Sequence, residues 1–208
     1  MLCSAFCHGT SSDFSFGVSE FDGVWERLID YVFGIADKER YFPQSSWHIL
    51  RNGKFSTYPN SHLYPDTIML YDGKTYILDA KNYKFGLTAF VDHLPATDSV
   101  QKQITYGNYV VTKGLADSDH LYNAFLLPYC KDESDELPYK FVSVATADWI
   151  AYTADTEKYK YILAILVDTR HLIATYARLN ASECFTLAGL IEKSVDQFLN
   201  QYFHAGDE

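Results

Sequence analysis

Apolar residues recur at steps of three and four from Ser19 to Ile35, where Phe21, Val24, Trp25, Leu28, Val32 and Ile35 fall on one stripe. That spacing predicts an amphipathic helix, with Ser19 or Asp22 as its cap and Gly34 as its stop. The pattern then breaks. Residues 41–60 carry clusters of Pro, Gly, Asn and Ser, and read as a connection with one short strand near Trp47–Leu50. Two β-rich runs follow, Thr67–Tyr71 and Thr75–Asp79, with the strong hairpin signal Asp72-Gly73 between them. Residues 82–96 are too polar and irregular for a core element. Asp98 or Ser99 opens a second helix to about Val111, with Val100, Ile104, Tyr106, Tyr109 and Val110 as its buried candidates. Strands are predicted over 122–129, 140–146 and 160–167, and helices over 169–178 and 182–203. The last helix carries Leu187, Leu190, Ile191, Val195, Phe198 and Leu199 on one stripe. This order predicts an α/β fold with a mixed central sheet flanked by helices. Residues 1–16, small, polar and without period, read as a flexible leader, which leaves 17–208 as a single domain.

Composition narrows the class. Hydrophobic residues make up 48% and charged residues 21% of 208, which excludes a disordered chain. The longest apolar run, Tyr161–Val167, is strand-sized and well short of the roughly 18 residues that span a bilayer. The start, Met1 to Ala5, has neither a basic nor an apolar signal region, so a cytoplasmic protein is expected. The irregular spacing of Cys3, Cys7, Cys130 and Cys184 argues against a disulfide framework. Cys3, Cys7 and His8 read as incidental rather than as a zinc site, because no second ligand pair follows. Taken alone, the net charge of −10 argues against a nucleic-acid binder. Its distribution matters more: residues 50–113 are net +2, whereas 1–49, 114–136 and 137–208 are net −4, −5 and −3.

The basic segment also holds the candidate chemistry. Pro65-Asp66 opens the first hairpin strand and Asp79-Ala80-Lys81 closes the second. Side chains alternate along a strand, so Asp79 and Lys81 share a face. A turn near residue 73 puts Asp66 close to residue 80, and a twist or bulge would aim its carboxylate at the other two. Paired carboxylates repel, which drives one up in pKa unless a cation neutralises both. Mg²⁺ suits such a site, accepting a few oxygens while keeping waters. It also activates water and stabilises charge on a phosphoryl oxygen. Lys81 could orient or deprotonate the attacking water, or balance the charge on phosphorus. The competing interpretation is a surface ion pair, Asp79 with Lys81, beside a turn residue, Asp66. Lys84, Arg51, Lys54 and Lys102 are candidates for phosphate contact or plain solvated charges, and His93 is a loop histidine that could approach DNA.

Pro65-Asp66, then Asp79-Ala80-Lys81 thirteen positions on, resembles the signature of the PD-(D/E)XK nuclease superfamily. More narrowly, Leu63-Tyr64-Pro65-Asp66, Leu78-Asp79-Ala80-Lys81 and the stretch from Asp98 to Tyr109 resemble the LlaJI-type restriction endonucleases. These are related to the nuclease subunit of McrBC-like systems. The resemblance runs from about Phe21 to Asp168 and implies a restriction-endonuclease-like fold. It implies Asp66 and Asp79 as metal ligands, Lys81 as the catalytic lysine and the Ala80 carbonyl as a further ligand. Glu26 would be the acidic residue of the first helix that reaches the metal. Gln103 corresponds to a glutamine near the active site, and Tyr106, one turn on, would hold the phosphate or pack. The second acid here is Asp79, where relatives often carry Glu.

The expectation is therefore a Mg²⁺-dependent DNA endonuclease, with Mn²⁺ able to substitute, that leaves a 5′-phosphate and a 3′-hydroxyl. No sequence-reading module is visible, so target choice would come from a partner subunit or a lost domain. Double-strand cutting would need two sites, hence a homodimer or larger assembly. The alternatives are a catalytically idle module of the same fold that docks a partner or nucleic acid, and an RNA-directed or structure-specific nuclease.

Overall fold

Trp25, Ile29, Val32 and Phe33 form the buried stripe of α1 (Phe21–Phe33). Its axis of burial is rotated slightly from the predicted one, and Val24 faces solvent. The computed structural model describes residues 21–132, 136–175 and 181–203. The expected leader, with Cys3, Cys7 and His8, lies outside the described residues, as does the end of the helix predicted over 169–178.

The first correction concerns residues 41–60. In place of a connection with one short strand, β1 (Gln44–Arg51) and β2 (Lys54–His62) form a full antiparallel ribbon. Asn52 (φ 50°) and Gly53 (φ 77°) make its two-residue turn, with Arg51 opposite Lys54. Asn-Gly tolerates two successive positive φ values, and this mirror-image turn matches the twist of the strands. The sequence signal was present. The ribbon lacks a buried face, however, and so lacks the alternation that marks most strands.

The predicted hairpin is β3 (Thr67–Tyr71) and β4 (Lys74–Ala80), turning at Asp72 (φ 48°) and Gly73 (φ 71°). The predicted irregular stretch 82–96 contains one short helix, α2 (Phe85–Thr88), and a single 3₁₀ turn over Val91–His93. The second long helix, α3 (Thr97–Thr112), starts slightly ahead of Asp98, and both Asp98 and Ser99 lie inside it rather than capping it. Strands β5 (Leu121–Tyr129), β6 (Tyr139–Ala145) and β7 (Ile162–Asp168) fall within two residues of their predicted bounds. They are followed by α4 (Thr169–Thr175) and α5 (Ala181–Phe203).

Five strands make one mixed sheet in the order β3-β4-β5-β7-β6. β4, β5 and β7 are parallel, and β3 and β6 close the edges antiparallel. β5 and β7 are buried along their whole length, which is why they read as continuous apolar runs. Tyr76, Leu78 and Ala80 of β4 pack with α1 and α5 on one face. Ile77 packs with Tyr106 and Val110 of α3 on the other. Alternation along β4 therefore sends Asp79 to the α3 side. This is the α/β architecture expected, with helices on both faces of a mixed sheet. Among the described residues no helix is long and apolar enough to cross a membrane. Among the described residues Cys184 is a free thiol.

Candidate active site

The register of the hairpin builds the site. Thr67 pairs with Leu78, and one further step places Asp66 opposite Asp79. The sequence placed Asp66 near residue 80, as observed; directly opposite residues share a face of the sheet, which brings it to Asp79 as well. The two carboxyl groups meet with no bulge to aim them. Asp66 is held there by the Ala80 backbone N–H, which donates to Oδ2 at 2.9 Å. Asp79 is buried, 6% exposed, and its Oδ2 lies 2.6 Å from Lys81 Nζ. Beyond β4, the Lys81 N–H donates to the Leu126 carbonyl at 3.0 Å, so the strand ladder continues to the lysine.

Two carboxyl groups and one ammonium leave a surplus negative charge in a partly buried place. Burial, then the charge of Asp79 and a hydrogen bond between the two carboxyls, push Asp66 up to about 8, while Lys81 pulls against the rise. Burial works against the Lys81 ammonium, but the charges of Asp79 and Asp66 outweigh it, and its pKa stands above the usual lysine value. The two carboxyls thus favour the ammonium form of Lys81. Tyr106 is buried beside the pair; burial, then Asp79 and Asp66, raise its phenol to about 12. It stays neutral and donates to the Tyr64 carbonyl at 3.2 Å.

Three contacts that the sequence did not reveal hold this end of the sheet. The Trp25 indole Nε1 donates to the Leu126 carbonyl at 3.0 Å, the same oxygen that takes the Lys81 N–H. This joins α1 to the site. Lys38 Nζ donates to the Asp66 carbonyl at 2.7 Å and pairs with Asp30 of α1 at 2.7 Å. Tyr64, through its carbonyl, ties the approach to Asp66 to α3. Each contact joins residues distant in sequence, and no local motif marks them.

A family model described as LlaJI restriction endonuclease matches residues 7–162. The chain belongs to the LlaJI restriction endonuclease family. The match takes in α1, the ribbon, the Asp66–Lys81 hairpin, α3 and β5, and stops at the first residue of β7. Membership points to a nuclease of a restriction system, a class that acts on DNA. No curated protein and no solved structure matches the chain.

The remaining candidates from the sequence are Gln103, Glu26, Lys84 and Lys102. Gln103 is wholly buried, one turn before Tyr106 on α3, and neither its Nε2 nor its Oε1 has a hydrogen-bond partner. Its backbone carbonyl accepts from Asn123 Nδ2 at 3.0 Å. Glu26 follows Trp25 on α1; its side chain is exposed, and it acts on Asp66 as a further negative charge. Lys84, just ahead of α2, and Lys102, on α3, are exposed. Among the described residues no three His, Cys, Asp or Glu side chains converge as a ready metal cage. The donor set is two oxygen ligands with a surplus charge. That suits a hard cation bound through one or two carboxylates plus waters and substrate oxygens.

Proposed function

We propose that this chain is a divalent-cation-dependent DNA endonuclease and the cleavage component of a restriction or defence system. Asp66 and Asp79 would hold Mg²⁺, with the Ala80 carbonyl and Glu26 as further oxygen donors; Mn²⁺ would substitute. The observation that carries this reading is the carboxyl pair itself, opposed across the hairpin and short of one positive charge. Such a pair needs either a proton or a cation. The cation, when bound, supplies charge stabilisation at the phosphate and a more acidic water.

The chain's own residues do the rest. Lys81, held as an ammonium, orients the attacking water and faces the negative charge that grows on the phosphate oxygens. Gln103 brings a buried amide with both ends unused to the helix face that carries Tyr106. Tyr106 offers a neutral phenol beside the carboxylates. Lys84 and Lys102, both exposed, are placed to meet the DNA backbone as diffuse positive charge. Cutting both strands requires two such centres, supplied by a homodimer or by assembly with a partner subunit that chooses the target.

Calorimetric titration of Mg²⁺ or Mn²⁺ into the wild-type protein and into Asp79→Ala tests the metal assignment. The reading predicts binding by the wild type and at least a roughly tenfold loss in the variant. Equal binding by both would place the cation elsewhere.

A further inference from the structure

The ribbon β1–β2 is the one part of the described chain that both strands leave exposed along nearly their whole length. It nevertheless carries large apolar side chains. Trp47 is 68% exposed and Phe55 71%, with Ile49, Leu50 and Tyr58 exposed beside them. Exposed apolar surface gathered on a projecting element marks a surface that something covers.

Register sorts these side chains. Trp47 pairs with Tyr58, Ile49 with Ser56 and Arg51 with Lys54, so one face runs from an aromatic pair to a basic tip. Charge then selects the occupant. Residues 40–65 are the longest stretch of the chain without an acidic residue, in a protein of net charge −10. A basic, aromatic ribbon on an acidic protein complements a polyanion with flat apolar faces. Size agrees. Eight residues of strand extend about 27 Å at roughly 3.4 Å each, and the major groove of duplex DNA, about 12 Å wide, admits a two-stranded ribbon.

The ribbon is also tied to the chemistry. Its base is closed by Leu63 N–H donating to the Pro43 carbonyl at 2.8 Å, with the Phe42 and Tyr64 rings packed edge to face at 5.1 Å. The chain leaves β2 at His62 and reaches Asp66 only four residues later, with Tyr64 fixed to Tyr106 on the way. A duplex gripped by the ribbon is thereby registered against the carboxylates.

We propose that the β1–β2 ribbon is the DNA-gripping element of this nuclease. It enters the major groove with Trp47, Ile49 and Tyr58 against base edges and sugars, and sets Arg51 and Lys54 on phosphates. The proposal rests on the nuclease reading above and gives that nuclease a hold on duplex DNA.

The test is fluorescence anisotropy of a labelled duplex of about 30 base pairs, at several salt concentrations and in EDTA, so that binding is read without cleavage. The proteins are the wild type, Arg51→Glu/Lys54→Glu, Trp47→Ala/Tyr58→Ala, and Lys193→Glu on α5 as a control for charge alone. The double reversal is expected to weaken binding tenfold or more and to lower the slope of log K against log salt by about 2. The aromatic variant is expected to weaken binding with the slope unchanged, and Lys193→Glu to bind as the wild type does. All four should melt alike, because the substituted side chains are exposed. Ribbon variants that bind as the wild type does would overturn the inference. So would a wild type that binds no duplex, or ribbon variants whose only change is a lower sedimentation coefficient, which would make the ribbon a contact between copies. A wild type that binds through the ribbon yet never cuts with Mg²⁺ would overturn the nuclease reading and leave this inference standing.

Discussion

The burial of Asp66 beside Asp79 has a measurable consequence. The Asp66 carboxyl stands at about 8 in the folded chain against an ordinary 3.8. The folded state therefore binds a proton that the unfolded state has already released. Stability from this group is full below the ordinary value and is lost as pH rises through the folded one. Cation-free wild type should lose melting temperature between about pH 4 and pH 8, and Asp66→Asn should lose less, because its amide can donate to Asp79 at any pH. The same variant should fail to cut, so stability and function trade against each other at this residue. Parallel pH dependence in the two proteins, read by thermal melting, would contradict the paired-carboxyl account. At this scale the sequence was informative for Asp66, Asp79 and Lys81, because the Asp72-Gly73 turn fixes which residues oppose each other. Lys38 and Trp25 were not legible, since their roles arise from contacts with Asp66 and Leu126 that only the folded chain creates.

Among the elements, the packing of α3 shows why its sequence is small in the middle. A Cβ at Gly107 would overlap the Tyr159 ring. Tyr159 is itself buried, donates to Asn108 Oδ1 at 2.9 Å, and gives its carbonyl to Asn123 Nδ2 at 2.7 Å. The helix cannot move away without pulling Tyr106 and Gln103 out of place. Gly107→Ala should therefore destabilise by about 1–3 kcal/mol, despite the higher helix propensity of alanine. Urea unfolding checks this, and a neutral or stabilised variant would mean that α3 sits less tightly on the sheet. Strands β4, β5 and β7 were readable because burial leaves continuous apolar runs such as Ile162–Val167. Ribbon β1–β2 was not, because an element with no buried face has no hydrophobic period, and only Asn52-Gly53 marked it.

For the whole molecule, the fold and the family agree with the motif, and the acidic net charge is reconciled by where the charge lies. The acid-free ribbon and the carboxyl pair sit at the two ends of a three-residue link, while the surplus acids are spread over the rest of the chain. What the sequence could not supply was the spatial relation between them, because the contact of Tyr64 with Tyr106 exists only in the folded chain. The central claim is that the Asp66–Asp79–Lys81 cluster cuts DNA with the help of a divalent cation. Its most direct test is incubation of supercoiled plasmid with wild-type protein and Lys81→Ala, each with Mg²⁺, Mn²⁺ or EDTA. Nicked or linear product from the wild type with either cation, absent in EDTA and absent from Lys81→Ala, is the predicted result. Equal cutting by the two proteins, or cutting that survives EDTA, would contradict the assignment.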